Sequence, residues 1–368
     1  MIYKRFLDMN ISALGMGVMR LPEAEGKSGV IDREKGRAII ERALSGGINY
    51  FDTAHIYQDG DSERFIGEVF SDYPRDSYYL ATKFKVTDAK DIKEMFEQQL
   101  KRCNTDHFDI YLLHNITAGT FEEYTDPANG YLDFLLEQQK EGRIRHLGFS
   151  SHGTPEVIQR VLDWHRFDMA QIQLNYLDWS LIDAAAQYKV LADNDIPIWI
   201  MEPVKGGKLA DLNKEAADIL RSAAPGRSQA SWAFRYLFDL PGVHTILSGM
   251  STLEQLEDNL ATFENPAPLS HEEKQALSMA ADAFIKDAGV LCSSCRYCVP
   301  ACPMELDIPL LIKGYNVLNT SGSTWRAEGF DKAKSADNCI GCGACAALCP
   351  QNIDIPLVMQ KLTAALSK

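Results

Sequence analysis

Residues 47–57 read Gly-Ile-Asn-Tyr-Phe-Asp-Thr-Ala-His-Ile-Tyr. Asn49 to Thr53 has the aromatic, extended character of a short strand, and it ends on a carboxylate, Asp52, with Tyr57 in the loop that follows. The same unit recurs along the chain. Further strand candidates are Tyr78–Lys83, Phe108–His114, Ile144–Ser150, Met169–Leu174, Ile198–Pro203 and Val243–Gly249, and an N-terminal segment ending in Ile11–Val18 makes eight. Apolar residues near helical spacing fill the intervals, at Ala38–Leu44, Glu63–Phe70, Asp91–Arg102, Leu132–Gly142, Pro155–Trp164, Leu181–Asp193, Glu215–Ala223 and Gln229–Leu237. Eight strands alternating with helices predict an α/β fold, a (β/α)8 TIM barrel, whose chemistry gathers at the C-terminal ends of the strands. A doubly wound sheet is the alternative, but it calls for a G-x-G-x-x-G turn, and Gly15-Met-Gly17 lacks the third glycine.

Polar residues stand where a barrel would use them. Asp52 ends one strand, Tyr57 follows it, Lys83 ends Tyr-Leu-Ala-Thr-Lys and His114 ends Ile-Tyr-Leu-Leu-His. Together they make chemical sense. A tyrosine, with an ordinary pKa of about 10, becomes a usable acid when a lysine ammonium stabilises its phenolate, and a carboxylate holds the lysine. A histidine beside them orients a carbonyl oxygen by hydrogen bonding. Taken singly, a strand-end Asp is often a helix cap, a Lys a solvated charge, and a His after two leucines a core group; the conjunction favours catalysis.

The C-terminal part carries a different chemistry, and it is written twice. Cys292, Cys295, Cys298, Cys302 and Pro303 repeat 47 residues later as Cys339, Cys342, Cys345, Cys349 and Pro350, and the register continues through Asp307-Ile-Pro309 and Asp354-Ile-Pro356. Cysteines at x₂, x₂ and x₃ spacing closed by proline suit two [4Fe-4S] clusters. Structural zinc, the alternative, more often uses two separated C-x₂-C pairs. Hydride transfer moves two electrons at once while each cluster ordinarily passes one, so if the barrel runs hydride chemistry, either a flavin or radical step links the two or the clusters are structural.

The ninth cysteine, Cys103, reads as a small buried thiol at a helix end. With eight cysteines in the two runs, a disulfide framework has almost no material. Net charge −14 disfavours nucleic acid and anionic membranes as partners, and the absence of a signal-like or membrane-spanning apolar run makes the cytoplasm the expected location. Asn265-Pro-Ala-Pro-Leu-Ser270 breaks the barrel pattern. The expected domains are therefore a barrel at 1–265, a connecting helix within 266–290 (His271–Asp287, capped by Ser270 with Glu273), and a mainly helical cluster module at 291–368 with helices at Pro309–Leu318 and Pro356–Leu366.

Over roughly residues 1–265 the chain resembles the aldo-keto reductase superfamily, and Gly47–Tyr57 is the most specific part of the likeness. Asp52, Tyr57, Lys83 and His114 match its catalytic tetrad in order. The resemblance implies NAD(P)(H) as cofactor, with Ser150, Ser151 and Gln171 at the nicotinamide carboxamide and Met201 in the slot of a stacking aromatic. It implies further that Gly206 and Gly207 lie against the pyrophosphate, which Lys205 or Lys208 neutralises. Ser248, Gly249, Gln255 and Asn259 would then meet the adenosine end, where the basic pair that grips a 2′-phosphate in NADP-dependent members is missing. Arg20 is the candidate clamp for a substrate carboxylate, with a rim ion pair as the alternative. The segment Asn115–Tyr131 is the expected lid. The tail resembles two-cluster ferredoxins, which implies exchanged fourth ligands: one cluster on Cys292, Cys295, Cys298 and Cys349, the other on Cys339, Cys342, Cys345 and Cys302.

The leading functional expectation is an iron-sulfur oxidoreductase acting on a small carbonyl or alcohol, with Tyr57 as proton donor and the clusters relaying electrons from an external one-electron carrier of ferredoxin or flavodoxin type. The alternatives are an NAD(P)H-dependent reductase with structural clusters, and a non-catalytic redox sensor or docking protein.

Overall fold

The computed structural model describes residues 1–88, 91–181, 184–238, 240–264, 266–287, 289–321 and 335–367. Asn265, at the expected domain boundary, and residues 182–183, inside the expected helix 181–193, lie outside them. The chain forms two compact units: Met1–Pro203 with Phe234–Pro268, and Val204–Ala233 with Leu269–Lys368.

In the first unit β1 (Tyr3–Phe6) and β2 (Met9–Ser12) pair antiparallel. Eight parallel strands then close a barrel: β3 (Leu14–Gly17), β4 (Tyr50–Asp52), β5 (Tyr79–Phe84), β6 (Phe108–Ile116), β7 (Ile144–Ser151), β8 (Met169–Gln173), β9 (Ile198–Met201) and β10 (Val243–Ser248). Ring order follows chain order, and β10 pairs with both β9 and β3. These are the eight strands expected from the sequence, each with its ends within a few residues. The β1–β2 hairpin closes the end where the strands begin. Its Phe6, Met9 and Ile11 are buried with Tyr50 and Trp199, Lys4 Nζ donates to the Val243 carbonyl at the start of β10, and Asp8 receives Arg145 and His146 near the start of β7. Apolar closure of that end leaves the opposite end for chemistry.

Local signals set the helices. Thr154 precedes Pro155 at the first position of helix Pro155–Trp164. Ser270 and Glu273 form the reciprocal capping box at the start of helix His271–Asp287, Glu273 Oε2 accepting from the Ser270 N–H at 2.8 Å and Ser270 Oγ from the Glu273 N–H at 3.2 Å. Cys103 is buried at the C-terminal end of helix Ile92–Arg102, and burial pushes its thiol pKa well up, as befits an inert core thiol.

The second unit is mainly helical. Helix Lys214–Ala223 packs on helix His271–Asp287, and Asn213 Nδ2 donates to the Ala283 carbonyl at 3.0 Å. Helices Ile308–Ser321 and Ile355–Leu366 pack together over a core in which Leu306, Ile308, Leu311, Ile355 and Met359 surround the buried Cys298 and Cys345. Among the described residues no helix is long and apolar enough to cross a membrane.

Candidate functional site

The barrel brings Asp52, Tyr57, Lys83 and His114 together. β4 and β5 are neighbours in register, so the carboxylate and the ammonium emerge side by side at the strand ends. Lys83 is fully buried. Its Nζ donates to Asp52 Oδ1 at 2.6 Å, to the Thr53 carbonyl at 2.7 Å and to the Tyr57 hydroxyl oxygen at 3.2 Å, which uses all three donors of an ammonium. With that lone pair taken, the Tyr57 O–H is free to donate outward. The His114 ring lies edge-on to Tyr57, centroids 6.1 Å apart, and its buried Nδ1 has no partner among the described residues.

Electrostatics fix the resting protonation. Burial pushes Lys83 down and Asp52 up, each opposed by the other's charge. Burial, then the charges of Asp52 and Glu202, hold the Tyr57 hydroxyl well above its usual value, with Arg20 opposing. Lys83 is paired with Asp52 at 2.6 Å, and at rest the phenol keeps its proton. His114 is driven well below the ordinary histidine value by burial and then by the Lys83 charge, so it is a neutral imidazole.

A network behind the tetrad gave no sequence signal. Gln99 Nε2 lies 2.9 Å from the Lys83 carbonyl and 2.9 Å from Glu63 Oε1, Thr82 Oγ1 donates to the same carboxylate oxygen at 2.6 Å, and Arg102 Nε holds Glu63 Oε2 at 2.6 Å. Thr82 is on the strand of Lys83 itself and the others are on helices Asp61–Phe70 and Ile92–Arg102, and Gln99 ties the set to the backbone that carries Lys83. Arg20 pairs with Glu202 at 3.3 Å. The expected lid contains a helix, Phe121–Thr125, and the buried Tyr124 hydroxyl lies 2.7 Å from the His114 carbonyl and 3.0 Å from that of Phe84.

The remaining candidates are spread along the later strands. Ser150 Oγ accepts from the Asn115 N–H at 2.8 Å, and Ser151 Oγ donates to the Ile116 carbonyl at 2.6 Å, so both hydroxyls are engaged within the barrel. Gln171 Nε2 lies 3.8 Å from Met201 Sδ, while its buried Oε1 has no partner among the described residues. Ser248 Oγ accepts from Asn259 Nδ2 at 3.0 Å, Gln255 Oε1 accepts from the Ser251 N–H at 2.8 Å, and Gly249 lies beside the Arg20 side chain.

In the second unit, Gly206 (φ 63°) lies against the Ser293 backbone, so close that a Cβ would stand 2.4 Å from the Ser293 carbonyl oxygen. The buried Lys205 donates to Gln351 Oε1. Gly207 is open, with no atom within 4 Å of where a Cβ would be. The first cysteine run is thus packed on the loop that was expected at a pyrophosphate.

The eight cysteines fall into two sets of four. Cys302, Cys339, Cys342 and Cys345 line one cavity, walled by apolar residues that include Leu306, Ile308 and Ile355. On the other side burial pushes the Cys298 thiol up, and the neighbouring Cys295, Cys292 and Cys349 add to it. Among the described residues no three His, Cys, Asp or Glu side chains converge tightly enough for a single metal ion; four thiols standing around an apolar cavity suit a polynuclear cluster. The donor sets fit [4Fe-4S] clusters, and each contains a cysteine from the other run.

The duplication is also visible in the backbone. Ser294 and Gly341, Arg296 and Gly343, and Glu305 and Asn352, each pair 47 residues apart, all have positive φ. Asp307 Oδ1 and Asp354 Oδ1 accept from the N–H groups of Leu310 and Leu357, at 3.4 and 3.2 Å.

Fold and site together define a (β/α)8-barrel protein joined to an iron-sulfur module. Comparison with known proteins agrees. The aldo/keto reductase family matches residues 13–281, and a 4Fe-4S dicluster domain matches residues 291–353. The chain belongs to the aldo/keto reductase family, and it is an oxidoreductase. It is 27% identical over 305 residues to the uncharacterized oxidoreductase YqkF of Bacillus subtilis, covering 73% of this chain and 92% of that one. It is 26% identical over 286 residues to the NADH-specific methylglyoxal reductase of Escherichia coli, covering 71% and 81%. Among solved structures it resembles the aldo-keto reductase AKR11C1 of Bacillus halodurans in its holo form, with TM-score 0.62 and 27% identity over 76% of this chain and 96% of that one.

Proposed function

We propose that the chain reduces a small carbonyl compound, or runs the reverse oxidation, with Tyr57 giving the proton and the clusters relaying electrons. The observation that carries this reading is the Lys83 ammonium, bound at once to Asp52 Oδ1 at 2.6 Å and to the Tyr57 hydroxyl at 3.2 Å. Lys83 occupies a lone pair of the Tyr57 oxygen, so the phenolic proton is directed at whatever enters the mouth. As that proton leaves, Lys83 shares the growing charge on oxygen through a hydrogen bond already in place. Neutral His114 takes the tautomer that donates to the same carbonyl oxygen and holds it for Tyr57. Methylglyoxal, the substrate in the E. coli relative's name, supports a small 2-oxoaldehyde as the substrate class.

A nicotinamide fits at the carboxamide end, where the unpartnered Oε1 of Gln171 is an acceptor for an amide N–H and Met201 stands beside it. The thiols Cys292, Cys295, Cys298 and Cys349 would hold one cluster, and Cys302, Cys339, Cys342 and Cys345 the other. When bound, nicotinamide supplies a hydride and the clusters supply single electrons. A second reading, structural clusters beside ordinary hydride chemistry, is favoured by one observation: Cys298 and Cys345 sit inside the module's apolar core.

The test is anaerobic turnover of methylglyoxal and a panel of simple aldehydes and ketones, with NADH or NADPH and with chemically reduced clusters, in the wild type and Tyr57→Phe. The variant is expected to lose about 10²–10⁴-fold in kcat with its iron and sulfide content unchanged. Wild-type turnover by Tyr57→Phe refutes the proton-donor role. Flavin or nicotinamide released on denaturing the purified protein identifies the resident carrier.

A further inference from the structure

The two copies of the cluster-binding unit are equivalent in sequence and in backbone, yet they are covered differently. On the first copy Ser293 is 2% exposed, because Gly206 packs on its backbone. Gln351 accepts from Lys205 of the same loop. Moving each position by 47 residues gives its counterpart: Ile340 for Ser293, and Met304 for Gln351. Ile340 is 63% exposed and Met304 is 38% exposed.

The difference extends around the copy. Pro350 is buried while Pro303 is exposed, and Cys342 is exposed while its counterpart Cys295 is partly buried. Ile340 and Met304 both line the cavity of Cys302, Cys339, Cys342 and Cys345. The chain thus lays its own loop on one copy and, among the described residues, leaves the matching apolar side chains on the other exposed at the edge of a cluster site. Single exposed apolar side chains are ordinary on a protein surface; what distinguishes these two is that both line a cluster cavity and that their counterparts in the first copy are contacted by the chain's own loop.

We propose that Ile340 and Met304 form the docking surface for a one-electron carrier protein, which takes on the second copy the place that the loop Val204–Leu209 takes on the first. The occupant follows from what lies beneath. A protein seated there rests against Cys342, so contact brings its redox centre to a thiolate ligand of the cluster site, and electron-transfer encounters need only a small interface. In the exchange the carrier loses one electron and the cluster on Cys302, Cys339, Cys342 and Cys345 gains it; no bond or proton changes hands. This rests on the relay reading above, which it extends by naming the entry point.

The experiment uses the full chain with both clusters, without oxygen, as wild type, Ile340→Glu and Met304→Glu. Cluster reduction is followed by absorbance after mixing with a reduced flavodoxin, a reduced [4Fe-4S] ferredoxin, or reduced methyl viologen. Reduction by at least one of the two proteins is expected to slow about tenfold or more in both variants, while the viologen rate, iron content and cluster EPR spectra stay as in the wild type. Carrier rates equal to wild type overturn the surface, as do viologen rates that fall in parallel, or a wild type that accepts electrons from neither protein. A homodimer dispersed by Ile340→Glu also overturns it, since a second copy would then be the occupant. Whether viologen-reduced clusters are reoxidised by a carbonyl substrate reports on the relay alone, so the two readings fail separately.

Discussion

The Lys83 ammonium stands 3.2 Å from the Tyr57 hydroxyl, and Asp52 at 2.6 Å has already claimed its charge. One buried cation therefore holds the tyrosine in place without lowering its pKa, and this has a visible consequence.

A proton donor must be protonated to act, and a pKa held above the usual value of about 10 keeps it so to higher pH. His114, held below the ordinary value of about 6.5, stays neutral through the same range. With saturating substrate, neither Tyr57 nor His114 should put a limb on the rate of the reduction step between about pH 6 and 10; only loss of the Lys83 proton, whose pKa burial brings down, should lower it on the alkaline side. Single-turnover rates in wild type across that range check it; an acid limb at about 6.5 would contradict the buried, neutral His114.

The exchange of ligands between runs can be read by spectroscopy. Cys302→Ser should disturb the same EPR signal as Cys342→Ser, although 40 residues separate them. It should leave the signal altered by Cys295→Ser unchanged. If Cys302→Ser and Cys295→Ser alter one signal together, the runs bind independently.

Gly206 is placed where a side chain has no room, by its positive φ and by the Ser293 carbonyl 2.4 Å from a Cβ position. Gly206→Ala should push the loop away from the first run and open the cluster on Cys292, Cys295, Cys298 and Cys349. Iron release to a chelator, monophasic or slow in the wild type, should gain a fast phase carrying half of the iron. Gly207→Ala, with no neighbour within 4 Å, controls for the positive φ alone.

Where the signal was local, the sequence already contained the answer. The capping box at Ser270 and Glu273 and the proline at Pro155 set helix starts by hydrogen bonding and φ preference within a few residues. The tetrad was legible because three successive strand ends and the loop after the first carried four titratable types, and the cysteine runs because their spacing repeats. Long-range relationships left no local trace. Arg20 and Glu202 are 182 residues apart, and Lys205 and Gln351 are 146 apart. The β1–β2 hairpin turns through Leu7 at φ 50°, with no glycine or asparagine to announce it. The direction of the Tyr57 shift depends on burial and on Asp52 and Glu202 together, which only folded geometry reveals.

The relay is tested most directly by single-turnover oxidation of the clusters. The protein is reduced to completion with dithionite under argon, freed of reductant and of nucleotide, and mixed with methylglyoxal or another carbonyl compound that it turns over, while the broad iron-sulfur absorbance is followed. Reduction of one carbonyl to an alcohol takes two electrons and two protons: the two clusters would hold one electron each, Tyr57 gives the proton on oxygen, and solvent gives the one on carbon. Full recovery of the oxidised absorbance, with one alcohol formed per protein and a much slower rate in Tyr57→Phe, is the predicted result. Clusters that stay reduced beside a substrate that the same preparation reduces with NADH or NADPH would contradict the relay.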